Sequence, residues 1–369
     1  MKTRAGRTLW QSGLQVDERT TASERDEPEL LGMKQMCDTK SVSCPSKRLP
    51  ALDAQRSFCS SPVSVVSGLL VVDKPAGMTS FDVVARVKRG LNLQKAGHCG
   101  TLDPFATGVL LICINRATRI ADQLLFQDKT YRFVIRLGVE TDTLDATGNV
   151  TRTHAGGPVS REALEAVLAG FRGKVLQRVP HFSAVKFNGD RLYKLARGGM
   201  KVDLPPREVE VHGLDLTRYA WPEATLAARC SKGTYIRQLA ADIGSALGCG
   251  AHVRELRRIS SGPFAIDQAA SLDDVLGTPA ASARAPGFIA VNEALGHLEG
   301  VKIEDPGVVK ALHNGYLAPE WEEESRKHLH GREGPVRLVD GENRLLALWW
   351  PCRESGDHRR LRVFGPQTW

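Results

Sequence analysis

An aspartate on a glycine-bounded loop is the side chain of this sequence whose setting best suits chemistry. Asp103 lies in the segment AGHCGTLDPFATGVL, which has glycines at 97, 100 and 108 and a proline directly after the aspartate. Glycine permits sharp turns and close packing, and proline biases the preceding residue toward an extended conformation. We therefore expect a stiff loop that presents the carboxylate as a base or covalent nucleophile. The same pattern also fits an aspartate that only stabilises a turn.

A second segment, CSKGTYIRQLAADIG, places Tyr235 and Arg237 in the first turn of a predicted helix. An arginine there can pair with a buried carboxylate and hold it ionised and oriented. A surface arginine or a phosphate ligand fits the same position. Tyr131 opens the alternating run YRFVIRLG, where an ordinary aromatic strand residue is the simplest interpretation.

Positive charge is concentrated between residues 171 and 207. This stretch has nine Lys and Arg against two Asp, a net +7, whereas the whole chain carries +8. Aromatic and imidazole side chains are interleaved with the cations: Phe171, His181, Phe182, Phe187 and Tyr193. Phosphate attraction combined with stacking groups is typical of proteins that bind single-stranded or looped RNA. A solvated basic face is the alternative.

The elements around these residues indicate an α+β domain. Hydrophobic periodicity predicts strands at 69–72, 108–115, 131–138, 210–219 and 224–231, and helices at 80–91, 117–125, 161–171 and 234–247. Thr79 or Ser80 caps the first helix. The Asp103 loop thus connects a helix to a buried strand. Strands and helices alternate irregularly, which favours one large α+β domain over residues 67–300.

The two ends of the chain differ from this body. Residues 1–66 are polar, mixed in charge and without periodicity, which predicts a disordered N-terminal extension. Residues 301–369 contain the β-like runs PVRLVD, RLLALWWP and RLRVFG, which predict a small β-rich domain. We interpret EEESRKHLHGREG, which precedes the first of these runs, as a charged loop.

Composition restricts the class of protein further. The chain has 369 residues, of which 42% are hydrophobic and 25% charged, so it has ample material for a core. No apolar run is long enough for a membrane span, and no secretory signal is evident, so we expect no membrane association. Eight cysteines without CxxC pairs favour a reduced, cytoplasmic protein and no metal site. Without a GxxxxGK[ST] loop, we expect no nucleotide cofactor.

Five motifs together resemble the TruB-type pseudouridine synthase family, most closely its bacterial tRNA pseudouridine-55 synthases. They are VVDKPAGMTSFDVV, AGHCGTLDPFATGVLLICI, KTYRFVIRLGVETDTLDATG, PHFSAVKFNGDRLYKLARGG and KGTYIRQLAADIGSALGCGAHVRELRRISSGPF, and they cover about 67–300. The resemblance implies the family's pseudouridine-synthase fold, a mixed, mainly antiparallel sheet with flanking helices and an RNA-binding cleft. Residues 301–369 resemble the family's PUA-like RNA-binding domain with an insertion. Residues 1–66 have no counterpart.

The resemblance also implies an activity and its partner. The family isomerises uridine to pseudouridine at position 55, in the T-arm loop of tRNA, without a cofactor or metal. The bacterial pattern implies a single chain that needs no protein partner, and we expect a monomer.

Roles for individual residues follow from the matched motifs. Asp103 matches the family's catalytic aspartate, and Tyr131 matches the tyrosine that packs on the target uracil. Tyr235 matches an active-site tyrosine, and Arg237 matches the arginine that pairs with the aspartate. Leu256 matches the apolar wall of the base pocket.

Further matched positions surround these. His98 matches a histidine that contacts the RNA where the nucleotide is turned out, and Lys74 with Pro75 matches the motif that supports the floor of the site. Asp145 is also a family position, to which we assign no role from the sequence.

Two other classes of function compete with this one. One is an RNA-binding or RNA-folding protein without catalysis on the same scaffold. The other is a glycosidase that uses Asp103 with a second carboxylate such as Asp145. Within the pseudouridine synthase interpretation, Asp103 attacks either the ribose C1′ or the uracil C6, or promotes elimination at the sugar with Tyr131 as a base.

Overall fold

The computed structural model describes residues 66–278, 285–329, 334–351 and 361–365. The extension predicted over residues 1–66 lies outside this range except for its last residue. Among the described residues, none of the helices has the length and apolar character needed to cross a membrane.

The described residues form strands and helices in an irregular alternation. The strands are β1 (Gly68–Lys74), β2 (Ala96–His98), β3 (Thr107–Ile114), β4 (Lys129–Leu137), β5 (Val139–Thr141), β6 (Val150–Thr153), β7 (Gly173–Gln177), β8 (Lys186–Phe187), β9 (Asp190–Arg191), β10 (Arg207–Ala220), β11 (Glu223–Cys230), β12 (Ala251–Ser261), β13 (Phe264–Ala265), β14 (Ala270–Ser271), β15 (Phe288–Ala290), β16 (Gly300–Lys302), β17 (Val336–Val339), β18 (Leu345–Trp349) and β19 (Leu361–Val363). The α-helices are α1 (Ser80–Gly90), α2 (Ala121–Leu125), α3 (Arg161–Ala169), α4 (Leu192–Arg197), α5 (Ile236–Ala246), α6 (Leu272–Leu276), α7 (Val291–Ala294), α8 (Pro306–His313) and α9 (Pro319–His328). Within the described ranges, 3₁₀-helices span Asn115–Ile120 and Ile266–Gln268.

One large sheet organises the main body. Its strands follow the order β14-β1-β3-β12-β4-β11-β10-β7, and β15, β2 and β13 pair with β1, β3 and β12 beside this path. The β1–β14 and β3–β12 pairs are parallel, and the other neighbours are antiparallel. The predicted α+β class with a mixed, mainly antiparallel sheet is confirmed.

Helix α1 begins where the sequence predicts it. Thr79 is the capping residue, because its hydroxyl accepts the Asp82 N–H at 3.0 Å while the Asp82 carboxylate accepts the Thr79 N–H at 3.0 Å. This reciprocal pair satisfies two N–H groups that the helix itself cannot. Val83, Val84 and Val87 form the buried face of the helix.

The helix predicted over 117–125 is only partly α-helical. Its first half is the 3₁₀-helix Asn115–Ile120, and α2 follows with five residues. Asn115 has a φ of +52° and its carbonyl accepts the Thr118 hydroxyl at 2.9 Å. Such local side-chain bonds compete with regular α-helical hydrogen bonding.

The C-terminal part forms a second sheet, in the order β16-β17-β18-β19, with helices α8 and α9. The prediction that EEESRKHLHGREG forms a loop is wrong for the first part of this segment, because α9 continues to His328. Proline at the start, glutamates in the first turn and basic residues in the last turn all stabilise a helix there. Arg326 also pairs with Glu322 one turn earlier.

The last strand packs against the main body. Arg362 of β19 donates two hydrogen bonds to the Asp122 carboxylate on α2, at 2.9 and 3.1 Å. Arg119 donates to the Val363 carbonyl at 2.6 Å and its guanidinium stacks over Phe364, 5.1 Å from the ring centroid.

Candidate active site

Asp103 and Arg237 form a two-pronged ion pair. Arg237 Nε lies 2.8 Å from Asp103 Oδ2, and Arg237 Nη2 lies 3.1 Å from Asp103 Oδ1. The arginine side chain is 5% exposed and that of the aspartate 32%. The buried partner therefore fixes both carboxylate oxygens, while the carboxylate itself still reaches the surface of the site.

Arg237 also connects two other segments to this pair. Its Nη1 donates to the Thr143 carbonyl at 2.8 Å, and its Nη2 donates to the Phe182 carbonyl at 2.8 Å. Arg237 is the second residue of α5, so the helix start determines where the guanidinium lies. One side chain thus fixes the Asp103 loop relative to two further loops of the site.

Asp145 is a second carboxylate beside Arg237, with Oδ2 3.6 Å from Nη1. Its other oxygen accepts hydrogen bonds from the Thr143 hydroxyl at 2.9 Å and the Thr147 N–H at 3.0 Å. The Asp145 side chain is 5% exposed. Because protein donors surround its carboxylate, Asp145 is better placed to orient Arg237 than to contact a substrate.

The residues on either side of Asp103 are bound to the first residue of α1 and to the segment before it. The buried Ser80 hydroxyl donates to the Leu102 carbonyl at 3.0 Å and accepts the Leu102 N–H at 2.8 Å. On the other side, the Pro104 carbonyl accepts the Gly77 N–H at 2.8 Å and Lys74 Nζ at 3.2 Å. The aspartate is therefore held on both sides by main-chain contacts, as the stiff loop predicts.

Lys74 lies under this loop as a fully buried lysine. Its ammonium also donates to the carbonyls of Pro75 at 2.8 Å and Met78 at 2.6 Å. Burial lowers the pKa of Lys74 from its ordinary 10.5 to about 8, which the nearby Asp103 opposes and Arg258 reinforces. The ammonium therefore connects the Asp103 loop to the segment between β1 and α1.

Tyr131 and Leu256 lie on the neighbouring strands β4 and β12. Leu256 stands opposite Phe133 and Arg258 stands opposite Tyr131, so these side chains share one face of the sheet. Tyr131 and Leu256 belong to the same apolar cluster as Leu102, which precedes Asp103. Burial raises the pKa of the Tyr131 phenol, and Arg258 beside it acts in the opposite direction.

Tyr235 is held by the buried amide of Gln177 at the end of β7. The Gln177 side chain accepts the Tyr235 N–H at 2.7 Å and donates to the Tyr235 carbonyl at 3.1 Å. Burial is the main cause that raises the pKa of the Tyr235 phenol. The amide thus sets the backbone of Tyr235, immediately before α5 begins.

His98 ends β2, at the start of the Asp103 loop. Its Nδ1 is buried, and no described residue forms a hydrogen bond with it. Burial lowers the pKa of His98, and the charges of Arg258 and Arg191 lower it further. Arg191 belongs to the exposed β8–β9 hairpin, so part of the basic segment lies close to His98.

The structure places the predicted site residues on the Asp103 loop, on β4 and β12 beside it, and at the ends of β1, β2 and the start of α5. Asp103 and Arg237 are in direct contact, Tyr131 and Leu256 form the apolar side, and Lys74 lies below. Sequence reasoning missed Ser80, Gln177 and Arg258. The sequence indicates Ser80 only as a candidate helix cap, and the motif VRELRRISS gives no sign that Arg258 points inward. Among the described residues, no three His, Cys, Asp or Glu side chains are grouped to hold a metal ion.

Comparison with known proteins identifies the family. The model of the TruB family pseudouridylate synthase N-terminal domain matches residues 88–236, and that of the tRNA pseudouridylate synthase B C-terminal domain matches residues 237–284. The tRNA pseudouridine synthase B of Syntrophobacter fumaroxidans is 54% identical over 299 residues, which cover 81% of this chain and 97% of that protein. The protein of the same name from an Azoarcus species is 42% identical over 310 residues, covering 83% of this chain and 98% of the relative.

Solved structures show the same fold. A structure described as a Cbf5-Nop10-Gar1 complex superposes with a TM-score of 0.58 at 28% identity, covering 78% of each chain. A structure of the archaeal box H/ACA sRNP Nop10-Cbf5 complex gives a TM-score of 0.58 at 25% identity, covering 83% of this chain and 88% of that one. The chain belongs to the TruB family of pseudouridylate synthases.

Proposed function

We propose that this protein isomerises uridine to pseudouridine at position 55, in the T-arm loop of tRNA, with Asp103 as the nucleophile. The observation that carries the proposal is the Asp103 carboxylate, fixed by the buried Arg237 and still a third exposed beside an apolar wall. The names of the relatives support tRNA as the substrate.

The reaction exchanges one bond to the ribose for another. The C1′–N1 bond breaks, a C1′–C5 bond forms, and the proton lost from C5 is balanced by one gained at N1. No net oxidation occurs, so the residues need only bind and orient the nucleotide, form and release a bond through a nucleophile such as Asp103, and move protons. Attack by Asp103 at C1′, attack at C6, and elimination at the sugar with Tyr131 as base all begin from this arrangement.

The target base must leave its stack before Asp103 can reach it. Flipping costs a few kcal/mol, and stacking on an aromatic ring such as Tyr131 returns about 1–3 kcal/mol. Leu256, beside Tyr131, supplies the apolar side of the pocket. The buried Nδ1 of His98 has no hydrogen-bond partner among the described residues, which suits contact with the displaced nucleotide.

The basic segment supports RNA as the partner. The exposed hairpin of β8 and β9 follows Phe182, whose carbonyl accepts Arg237. Its cations are therefore close to the catalytic loop, where they suit RNA phosphates. We further propose that residues 301–369 bind RNA, and that the protein acts in the cytoplasm as a monomer without an obligatory protein partner.

A T-arm transcript tests the function directly. Product is detected with a reagent that tags pseudouridine, because the isomer has the mass of uridine. Asp103→Asn should bind the transcript as the wild type does and form no product. Asp128→Asn is a matched control, because Asp128 also pairs with an arginine, at 2.9 Å, and its side chain is 35% exposed. A transcript with cytidine at position 55 should remain unmodified, and modification elsewhere would contradict the proposed site.

A further inference from the structure

Arg258 is a buried cation that has no acidic partner in the part of the chain that the structure describes. It is 1% exposed, and no carboxylate of the described residues lies within ion-pair distance of its guanidinium. Its donors are directed at main-chain carbonyls, with Nε 2.6 Å from the Val109 oxygen and Nη2 3.2 Å from the Gly100 oxygen. Burying a charge without a counter-charge is costly, so fold stability alone does not account for an arginine here.

The two carbonyls mark the two ends of the loop that carries Asp103. The main chain of Arg258 adds a third contact, because it pairs with Gly108 of β3. Gly108 has a φ of +101°, and a Cβ atom there would lie 2.2 Å from the Arg258 oxygen. Only glycine permits this approach. Arg258 alone therefore contacts both ends of the Asp103 loop, through its side chain and through its main chain.

The same guanidinium acts on the tyrosine of the site. Arg258 stands directly opposite Tyr131 across β4 and β12, and its side chain interacts with the Tyr131 phenol. Its charge also reaches Lys74 below the loop and His98 at the rim. One cation is therefore common to the aspartate loop and to the aromatic side of the pocket.

We propose that Arg258 is a positioning residue for the reaction, which closes the Asp103 loop and orients the Tyr131 hydroxyl. This inference rests on the proposed function. It goes beyond the Asp103–Arg237 pair, because Arg258 acts on the loop's main chain and on a different side chain. A purely structural arginine would stabilise the fold without a specific link to Tyr131.

A double-mutant cycle under single-turnover conditions tests the proposal. The four proteins are the wild type, Arg258→Gln, Tyr131→Phe and the double variant, with T-arm conversion measured at saturating enzyme. Arg258→Gln should lower the rate at least about tenfold with little change in RNA affinity. In the Tyr131→Phe background, the same substitution should cost several-fold less, since residues that act together are not additive. Equal costs in both backgrounds would overturn the proposal.

Further variants keep the test decisive. If Arg258→Gln does not fold, Arg258→Lys replaces it throughout the cycle. Lysine keeps the charge but cannot donate to both carbonyls. A rate of the lysine variant within about twofold of the wild-type rate would overturn the proposal. Val275→Ala is the control for destabilisation, because Val275 is buried in the cluster around α1 and α6. It should lower thermal stability without changing the rate below its melting temperature. An inactive wild type would overturn the proposed function as well, whereas an active wild type with an unaffected Arg258 variant would overturn this inference alone.

Discussion

Replacing Arg237 with lysine separates the charge of this residue from its geometry. Arg237 donates two hydrogen bonds to Asp103 and one each to the carbonyls of Thr143 and Phe182. Lysine keeps the positive charge but presents a single point of donation, so it cannot serve the three segments together. The variant therefore tests whether orientation of the carboxylate, beyond its charge partner, drives catalysis.

The contacts set the expected magnitude. Losing one of the two directed bonds to Asp103 removes about 1.5–3 kcal/mol, because a hydrogen bond to a charged group is worth that much. If the bond orients Asp103 in the transition state, the rate falls roughly tenfold to a hundredfold, since each 1.4 kcal/mol is tenfold. Two buried carbonyls also lose their donor, at about 1–3 kcal/mol each, so the free energy of unfolding should decrease too.

Single-turnover conversion of a T-arm transcript, with enzyme in excess, measures the rate apart from product release. Filter binding measures affinity, which should stay within about threefold because Arg237 is 5% exposed and has little surface to offer RNA. Arg229→Lys is the matched control: Arg229 also donates to an aspartate at 2.9 Å, but its side chain is 65% exposed. The control should lose neither rate nor stability. A lysine variant that is less stable but retains the wild-type rate would refute the reasoning.

Three further predictions concern the surroundings of the pair. Ser80→Ala leaves the Leu102 N–H and carbonyl without their hydroxyl partner. The single-turnover rate should therefore fall roughly tenfold with unchanged RNA affinity. An unchanged rate would show that the loop keeps its conformation without the hydroxyl. The pKa of Lys74 is about 8 in the native state and an ordinary 10.5 in the unfolded state, so the native state loses this proton at lower pH. The free energy of unfolding should therefore increase as pH rises from about 8 to 10.5. Lys74→Met should reduce this rise in urea denaturation at several pH values, and an identical rise would contradict the shifted pKa. Neutralising the three exposed cations Lys186, Arg191 and Lys194 together should weaken RNA binding and flatten its salt dependence. An unaltered salt slope would mean that this surface faces away from the RNA.

The elements near Asp103 were predictable because their signals are local. The apolar run of β3, the glycines and proline of the loop, and the capping residues of α1 all lie within a few residues of the structure they determine. Helix α9 was missed although its signals are also local, because its many charged residues resemble those of a loop. Its proline, first-turn glutamates and last-turn basic residues are the pattern that distinguishes it.

The contacts that hold the site together could not be predicted from local sequence patterns. Ser80 lies 22 residues from its partner Leu102, Gln177 lies 58 from Tyr235, and Arg258 lies 158 from Gly100. Composition and periodicity contain no information on such pairs. The Asp103–Arg237 pair, 134 residues apart, was predicted only through the resemblance to a family. Contacts that the family motifs do not single out required the structure.

The most direct test of the account is pseudouridine formation in a T-arm transcript by the wild type and by Asp103→Asn. The account predicts product at position 55 from the wild type and from the Asp128→Asn control, and none from Asp103→Asn, with similar RNA affinity for all three proteins. Product formed by Asp103→Asn at a rate near that of the wild type would contradict the assignment of Asp103 as the nucleophile.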